Sequence, residues 1–199
     1  MAASETPVTP VDSSTTPAPA APAARRAKPV SASRVQMTEL VMPNDTNPLH
    51  NLMGGRMMHW MDVVAAISAG RHANAIVVTA SVDNVSFGEP IKLGNVVMLE
   101  AQVTRAFRTS MEVHINVWAE DIPSGRKVKS NEAFLTFVAL TPGGQTLVVP
   151  EAVPETAEDE KFFAGALRRR QLRLVLANRM KAHEAEELKS IFFDPAFTR

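Results

Sequence analysis

Two features of the chain are suited to work together: Asp62, set in an apolar stretch of helical pattern, and a glycine pair, Gly54-Gly55, at the entrance to that stretch. Met58, Ala65, Ala66 and Ala69 lie at helical offsets from Asp62, which leaves a carboxylate on a face of small and apolar side chains. A carboxylate held in that way takes a proton from water or adds to an activated carbonyl, the chemistry that cleaves esters and thioesters. The competing reading is an exposed or salt-bridged aspartate beside the buried stripe, and periodicity alone does not separate the two. Hydrolysis also needs donors aimed at the developing oxyanion, and the free amides of a helix N-terminus entered through glycines supply them. Standing alone, Gly54-Gly55 would read as an ordinary helix-entry turn.

A helix rises about 12 Å between Gly54 and Asp62, too far for one thioester carbonyl to touch both. They can share a reacting group only if they come from two chains. Two such helices packed antiparallel across a twofold axis would bring the glycine of one subunit to the aspartate of the other, so an obligate dimer with two equal sites is expected.

The elements that must hold these residues follow from pattern. Gln36 to Met42 reads as a first strand, and Pro43-Asn44-Asp45-Thr46-Asn47-Pro48 is a turn that no helix tolerates. From about Arg56 to His72, Met57, Trp60, Met61, Val64, Ile67 and Ser68 recur at helical spacing. Four strand-like runs come next: Ile76 to Phe87, Val96 to Phe107, Ser110 to Asp121 and Val128 to Leu140. In the third, Met111, Val113, Ile115, Val117 and Ala119 alternate with Glu112, His114, Asn116 and Trp118, which predicts one core face and one partly wet face. Consecutive strands predict an antiparallel sheet, and one apolar helix is what such a sheet needs on its concave side, so the class is α+β. Beyond Pro142-Gly143-Gly144, a helix-favouring run from about Thr156 to Leu188 predicts a C-terminal helical extension.

A chain of 199 residues suits one domain with appendages. The expected division is a disordered Pro/Ala/Ser/Thr-rich tail over 1–33, a domain over 34–145 and the extension over 146–199. Arg25, Arg26 and Lys28 make the tail basic, but Glu5 and Asp12 sit badly in an organellar presequence. The 21 basic residues balance 21 acidic ones, so no general field draws nucleic acid or an anionic membrane, and neither is an expected partner. Without cysteine there is no disulfide, thiolate metal site or thiol nucleophile, which fits a reducing compartment. No apolar run approaches the roughly 20 residues needed to span a bilayer, and a cytoplasmic location is expected.

At this point the residues carry a resemblance. Asn47, Met53-Gly54-Gly55, Met61-Asp62, Thr79-Ala80-Ser81-Val82-Asp83 and Phe87, followed by Arg108-Thr109-Ser110-Met111-Glu112, resemble the acyl-CoA thioester hydrolases of the hotdog superfamily, from about Gln36 to Leu140. The resemblance implies a five-stranded antiparallel sheet wrapped around a central helix, assembled as dimers and as trimers of dimers. It implies that Asp62 is the general base or nucleophile, that the Gly54 amide polarises the thioester carbonyl, and that Asn47 orients the water or the carbonyl. Gly55, and Ser81 as a polar support, are carried over with the substrate contacts. Some relatives have a histidine before the two glycines where this chain has Met53, so no hydrogen bond is expected from that position.

Coenzyme A brings phosphates, which a turn with backbone amides and a few cations can hold. Arg108, Thr109, Ser110 and Met111, between two strand runs, form such a turn; the plain alternative is a hairpin with a solvated arginine. Arg168, Arg169, Arg170 and Arg173 read as a solvated helix face balanced by Glu158, Asp159 and Glu160, with phosphate binding as the rival. His59, His72 and His114 make no ligand spacing, so no metal site is expected, and no cofactor beyond the CoA of substrate and product. Two other functions fit the same fold. A hydratase or dehydratase would want a histidine opposite the acid, and none is evident near Asp62; a non-catalytic acyl-CoA sensor would bind without releasing thiol.

Overall fold

The computed structural model describes residues 25–83, 85 and 87–193. In chain order its strands and α-helices are β1 (Ala27–Pro29), β2 (Val35–Leu40), α1 (Gly54–Ala73), β3 (Ile76–Val82), β4 (Val96–Ala106), β5 (Ser110–Asp121), β6 (Arg126–Leu140), β7 (Glu151–Val153), α2 (Ala157–Leu176) and α3 (Glu186–Phe193). Five strands form an antiparallel sheet in the order β2-β4-β5-β6-β3, curled around α1. This is the hotdog arrangement implied by the resemblance.

The core is the contact between α1 and the concave face. Met57, Met61, Val64, Ala65 and Ala69 of the helix are buried against Val97, Leu99, Val113, Ile115, Leu135 and Phe137 of the sheet. The alternation expected for β5 places Met111, Val113, Ile115 and Val117 in this core, each fully buried. Ile67, grouped above with the buried stripe, is instead 43% exposed, because it falls on the rim of the helical arc that Met57, Met61 and Val64 define. The helix stops at Asn74, whose left-handed backbone (φ 50°) turns the chain and lets its amide donate to the Gly70 carbonyl.

Composition misplaces the end of the tail. Residues 1–24 lie outside the described residues, but β1 pairs in parallel with β7, and a 3-10 turn from Val30 to Ser33 buries Val30 and Ser33. Val30 supplies the apolar anchor that the preceding Pro/Ala/Ser/Thr composition lacks.

The opposite, convex face of the sheet is not simply wet. A capping box between Thr156 and Asp159 starts α2, which then crosses this face. Phe162 stacks on His114 with ring centroids 4.1 Å apart, and Arg169 reaches Glu112, a side chain with no solvent exposure, at 2.7 Å. Arg173 pairs with Asp83 at 2.9 Å. Two of the arginines read above as a solvated face therefore fasten the extension to the sheet. Their partners, Glu112 in β5 and Asp83 just after β3, are distant in sequence, rather than Glu158 to Glu160. The single helical run of the sequence also breaks, at Asn178 (φ 54°), into α2 and α3. Among the described residues no helix is long and apolar enough to cross a membrane.

Candidate active site

Asp62 sits in the third turn of α1, half-buried, on the wall of a cleft of about 260 Å³ that it shares with Gly55, Met58, His59, Val82 and Leu135. The Thr79 hydroxyl, on edge strand β3, donates to Asp62 Oδ1 at 2.6 Å. That bond fixes the rotamer and occupies one oxygen, leaving Oδ2 to face a reactant. Apart from Asp62 and His59 the cleft is lined by apolar residues and Gly55, which fits an acyl chain better than a solvated ion.

Thr79 rather than Ser81 meets the aspartate because of a bulge. Thr79 is paired with Phe137, but Ser81 is paired with Thr136, so Ala80 is an extra residue in β3. Cross-strand partners share a face: Phe137 points to the core beside α1, and Thr136 to the convex side. Ser81 is thereby turned away from Asp62, and its hydroxyl donates to Asp83 Oδ1 at 3.4 Å instead. The sequence motif contains both hydroxyls, and nothing in an alternating pattern reveals which one the bulge selects.

Gly54 and Gly55 are the first two residues of α1, and no side chain caps them. Their amides belong to the helix's unpaired first turn, at the positive end of its dipole. Gly54 opens onto a second cleft, of about 360 Å³, lined by Asn51, Met57, Phe87 and Ile91, where a Cβ on Gly54 would stand 3.4 Å from the Phe87 ring. The helix start is anchored by a residue that sequence reading passed over: buried Asp45 accepts from the Met42 amide at 3.0 Å and pairs with Arg56 at 2.7 Å.

Asn47 shapes the same approach. Its Oδ1 accepts from the amides of Leu49 and Asn51, at 2.9 and 3.2 Å, so the carboxamide oxygen builds the turn and the Nδ2 group is what remains for a ligand. Within one chain Gly54 lines the cleft at the helix N-terminus, while Asp62 and Gly55 line the other.

The β4–β5 turn is firmly held. Arg108 and Thr109 carbonyls accept from Val149 and Ala139, and Ser110 accepts from Phe107. Met111 is fully buried with its backbone in the sheet, so of the four turn residues only Arg108, Thr109 and Ser110 face outward. His59, one turn before Asp62, does line the Asp62 cleft, which the sequence reading did not foresee, but it lies on the same helix rather than across from the acid. Among the described residues no group of three His, Cys, Asp or Glu side chains could hold a metal ion.

A model of the thioesterase superfamily matches residues 49–125. An acyl-CoA thioester hydrolase of Bacillus subtilis is 42% identical over 137 residues, which are 69% of this chain and 80% of that protein. The chain belongs to the acyl-CoA thioester hydrolases. It is similar to the structure of an apo-hexameric acyl-CoA thioesterase (TM-score 0.74, 38% identity, 76% of this chain and 97% of that one). It is also similar to the acyl-CoA hydrolase of Staphylococcus aureus (TM-score 0.71, 35% identity, 85% of this chain and 99% of that one). Solved structures of the Staphylococcus enzyme include a complex with butyryl-CoA and CoA, and variants with alanine at an aspartate, at an asparagine and at a threonine. Those three positions are spaced along that hydrolase at the same intervals as Asp62, Asn47 and Thr79 here.

Proposed function

We propose that the protein hydrolyses acyl-CoA thioesters to a free acid and CoA, with Asp62 as general base or nucleophile held by Thr79, in a site shared by two subunits. The observation that carries this reading is the 2.6 Å bond from Thr79 to Asp62 at the edge of an apolar cleft, in a chain of this family. Asp62 takes a proton from water as the water oxygen bonds to the carbonyl carbon; the tetrahedral oxyanion is held by helix N-terminal amides; the C–S bond then breaks and the CoA thiolate leaves to be protonated. In the nucleophilic variant Asp62 Oδ2 adds to the carbonyl first, the C–S bond breaks with loss of the CoA thiolate, and water cleaves the resulting anhydride to the acid and the free carboxylate.

The single chain leaves Gly54 on one cleft and Asp62 on another, which supports completion by a partner. The edge beside Asp62 supports it too: among the described residues β3 has no neighbour on its outer side, and Met58, Val78 and Val82 are 42%, 43% and 42% exposed. An unpaired apolar edge is a surface that proteins pair or cover. Dimers so formed, grouped in threes, would match the hexameric state of the relative described above.

Subunit mixing tests the reading. Asp62→Asn and Asn47→Ala chains, each inactive alone in free-thiol release, are exchanged and assayed together. A shared site makes one intact site in each mixed dimer and recovers up to about a quarter of wild-type activity. No recovery, with mixed dimers confirmed by mass, would place the whole site in one chain. An Asp62→Asn protein that keeps full turnover across acyl lengths would sink the assignment.

A further inference from the structure

Of the four arginines clustered in α2, Arg169 and Arg173 have carboxylate partners, while Arg170, rotated about 100° from Arg169 around the helix, has none among the described residues. Its guanidinium carbon lies 4.8 Å from the centre of the Phe107 ring. Arg105 approaches the same ring at 5.8 Å and the Phe163 ring at 4.3 Å, and donates to the Phe163 carbonyl at 3.1 Å. Arg25 donates to the carbonyls of Phe107 and Val149. Three guanidiniums thus converge on one residue, and none of the ion pairs among the described residues involves any of them. Arg170 is half-buried, and burial, with Arg173 and Arg179 close by, pulls its pKa below the ordinary value. Like charges gathered out of full solvent without a counter-ion are costly to keep.

The location gives the cluster a purpose. Phe107 donates its amide to Ser110, and Ser110 shares a row of the sheet with Val138 and Val78; Thr79 is one row further in. The arginines therefore stand at the same end of the sheet as the Asp62–Thr79 pair but on its convex face, and the strands that lead to Phe107 and carry Thr79 are three spacings, about 14 Å, apart. Arg108 and Thr109 lie on the turn between.

We infer that Arg170, Arg105 and Arg25, around Phe107, form an anion site for the phosphates at the nucleotide end of the substrate, so that the C-terminal extension is part of the binding surface. This rests on the thioesterase reading. Guanidiniums donate to phosphate oxygens in pairs, and the Phe107 and Phe163 rings lie against two of them and keep them partly desolvated, where such bonds are strongest.

The test compares butyryl-CoA with butyryl-pantetheine, which lacks the phosphates, using the full chain and Arg170→Met, a change that keeps an apolar stem over Phe107. Loss of the cation should raise KM for the CoA thioester by about tenfold at nearly constant kcat, spare the pantetheine thioester, and be partly reversed in Arg170→Lys. ADP should compete with butyryl-CoA in the wild type and weaken in Arg170→Met. Equal changes for both thioesters, or none, would overturn the inference, as would ADP binding that leaves KM for butyryl-CoA untouched, which would mark a site for free nucleotide. If the wild type cleaves neither thioester, the thioesterase reading fails separately. Calorimetric titration of CoA then decides the site: about tenfold weaker binding to Arg170→Met sustains it, and equal binding refutes it.

Discussion

The Thr79 hydroxyl reaches Asp62 Oδ1 at 2.6 Å, and it does so because the bulge at Ala80 keeps Thr79 on the concave side while turning Ser81 to the convex side. One inserted residue therefore decides which of two nearby hydroxyls supports the carboxylate. Asp62→Asn should lower kcat on the order of 1,000-fold, the range of a lost general base. Thr79→Val should lower it by roughly 10- to 100-fold, as expected for a hydrogen bond to a charged group. Ser81→Ala should stay within about twofold of wild type. Free-thiol release from an acyl-CoA measures all three, and a Ser81→Ala loss equal to that of Thr79→Val would contradict the bulge argument.

Arg173 should matter to turnover although it touches no cleft residue. Its two bonds to Asp83, at 3.1 and 2.9 Å, fasten the segment that follows β3, and Val82 and Phe87 on either side of that residue line the two clefts. Arg173→Ala is expected to lower kcat/KM about tenfold, in proportion to a lost charge-assisted pair. The exchanged pair, Asp83→Arg with Arg173→Asp, should recover part of the loss, and absence of any recovery would argue against the clamp.

Glu112 is fully buried, with Arg169 on its carboxylate and the Thr104 hydroxyl donating to it at 2.7 Å. Arg169→Met strands that charge and should cost about 3–5 kcal/mol of stability, whereas Arg169→Met combined with Glu112→Leu should cost much less. Chemical denaturation read by tryptophan fluorescence gives both values.

Acid should weaken the fold through two histidines. Burial depresses the His114 pKa despite the Glu132 carboxylate at 2.7 Å, and burial depresses that of His72 despite its contact with the Pro150 carbonyl. When a folded histidine has a pKa below its unfolded value of 6.5, the unfolded chain accepts a proton that the folded chain resists. The contribution is fully present above pH 6.5 and is lost as pH falls below it. His72 Nδ1 is buried without a partner, so an added proton there would find no acceptor. Urea midpoints should therefore drop between pH 7.5 and 5.5 in the wild type, and drop less in His72→Gln.

Much of this protein could be read from residues alone. Short-period patterns are local, so the α1 stripe from Met57 to Val64 and the alternation from Met111 to Ala119 announced a helix and a core strand, and the span from Asn47 to Phe87 carried the family. Periodicity left Asp62 open between an apolar face and an exposed one, and the structure places it half-buried on the wall of a cleft. What stayed hidden depended on partners far apart in sequence. Val30 became ordered only because β7 and the sheet were there to receive the chain. Arg169 and Arg173 looked solvated until Glu112 and Asp83, distant along the chain, met them across the convex face. The choice of Thr79 over Ser81 turned on the register against β6, which no single strand encodes. Sequence fixes what each segment prefers to bury; only the packed sheet and helices decide which polar groups then find one another.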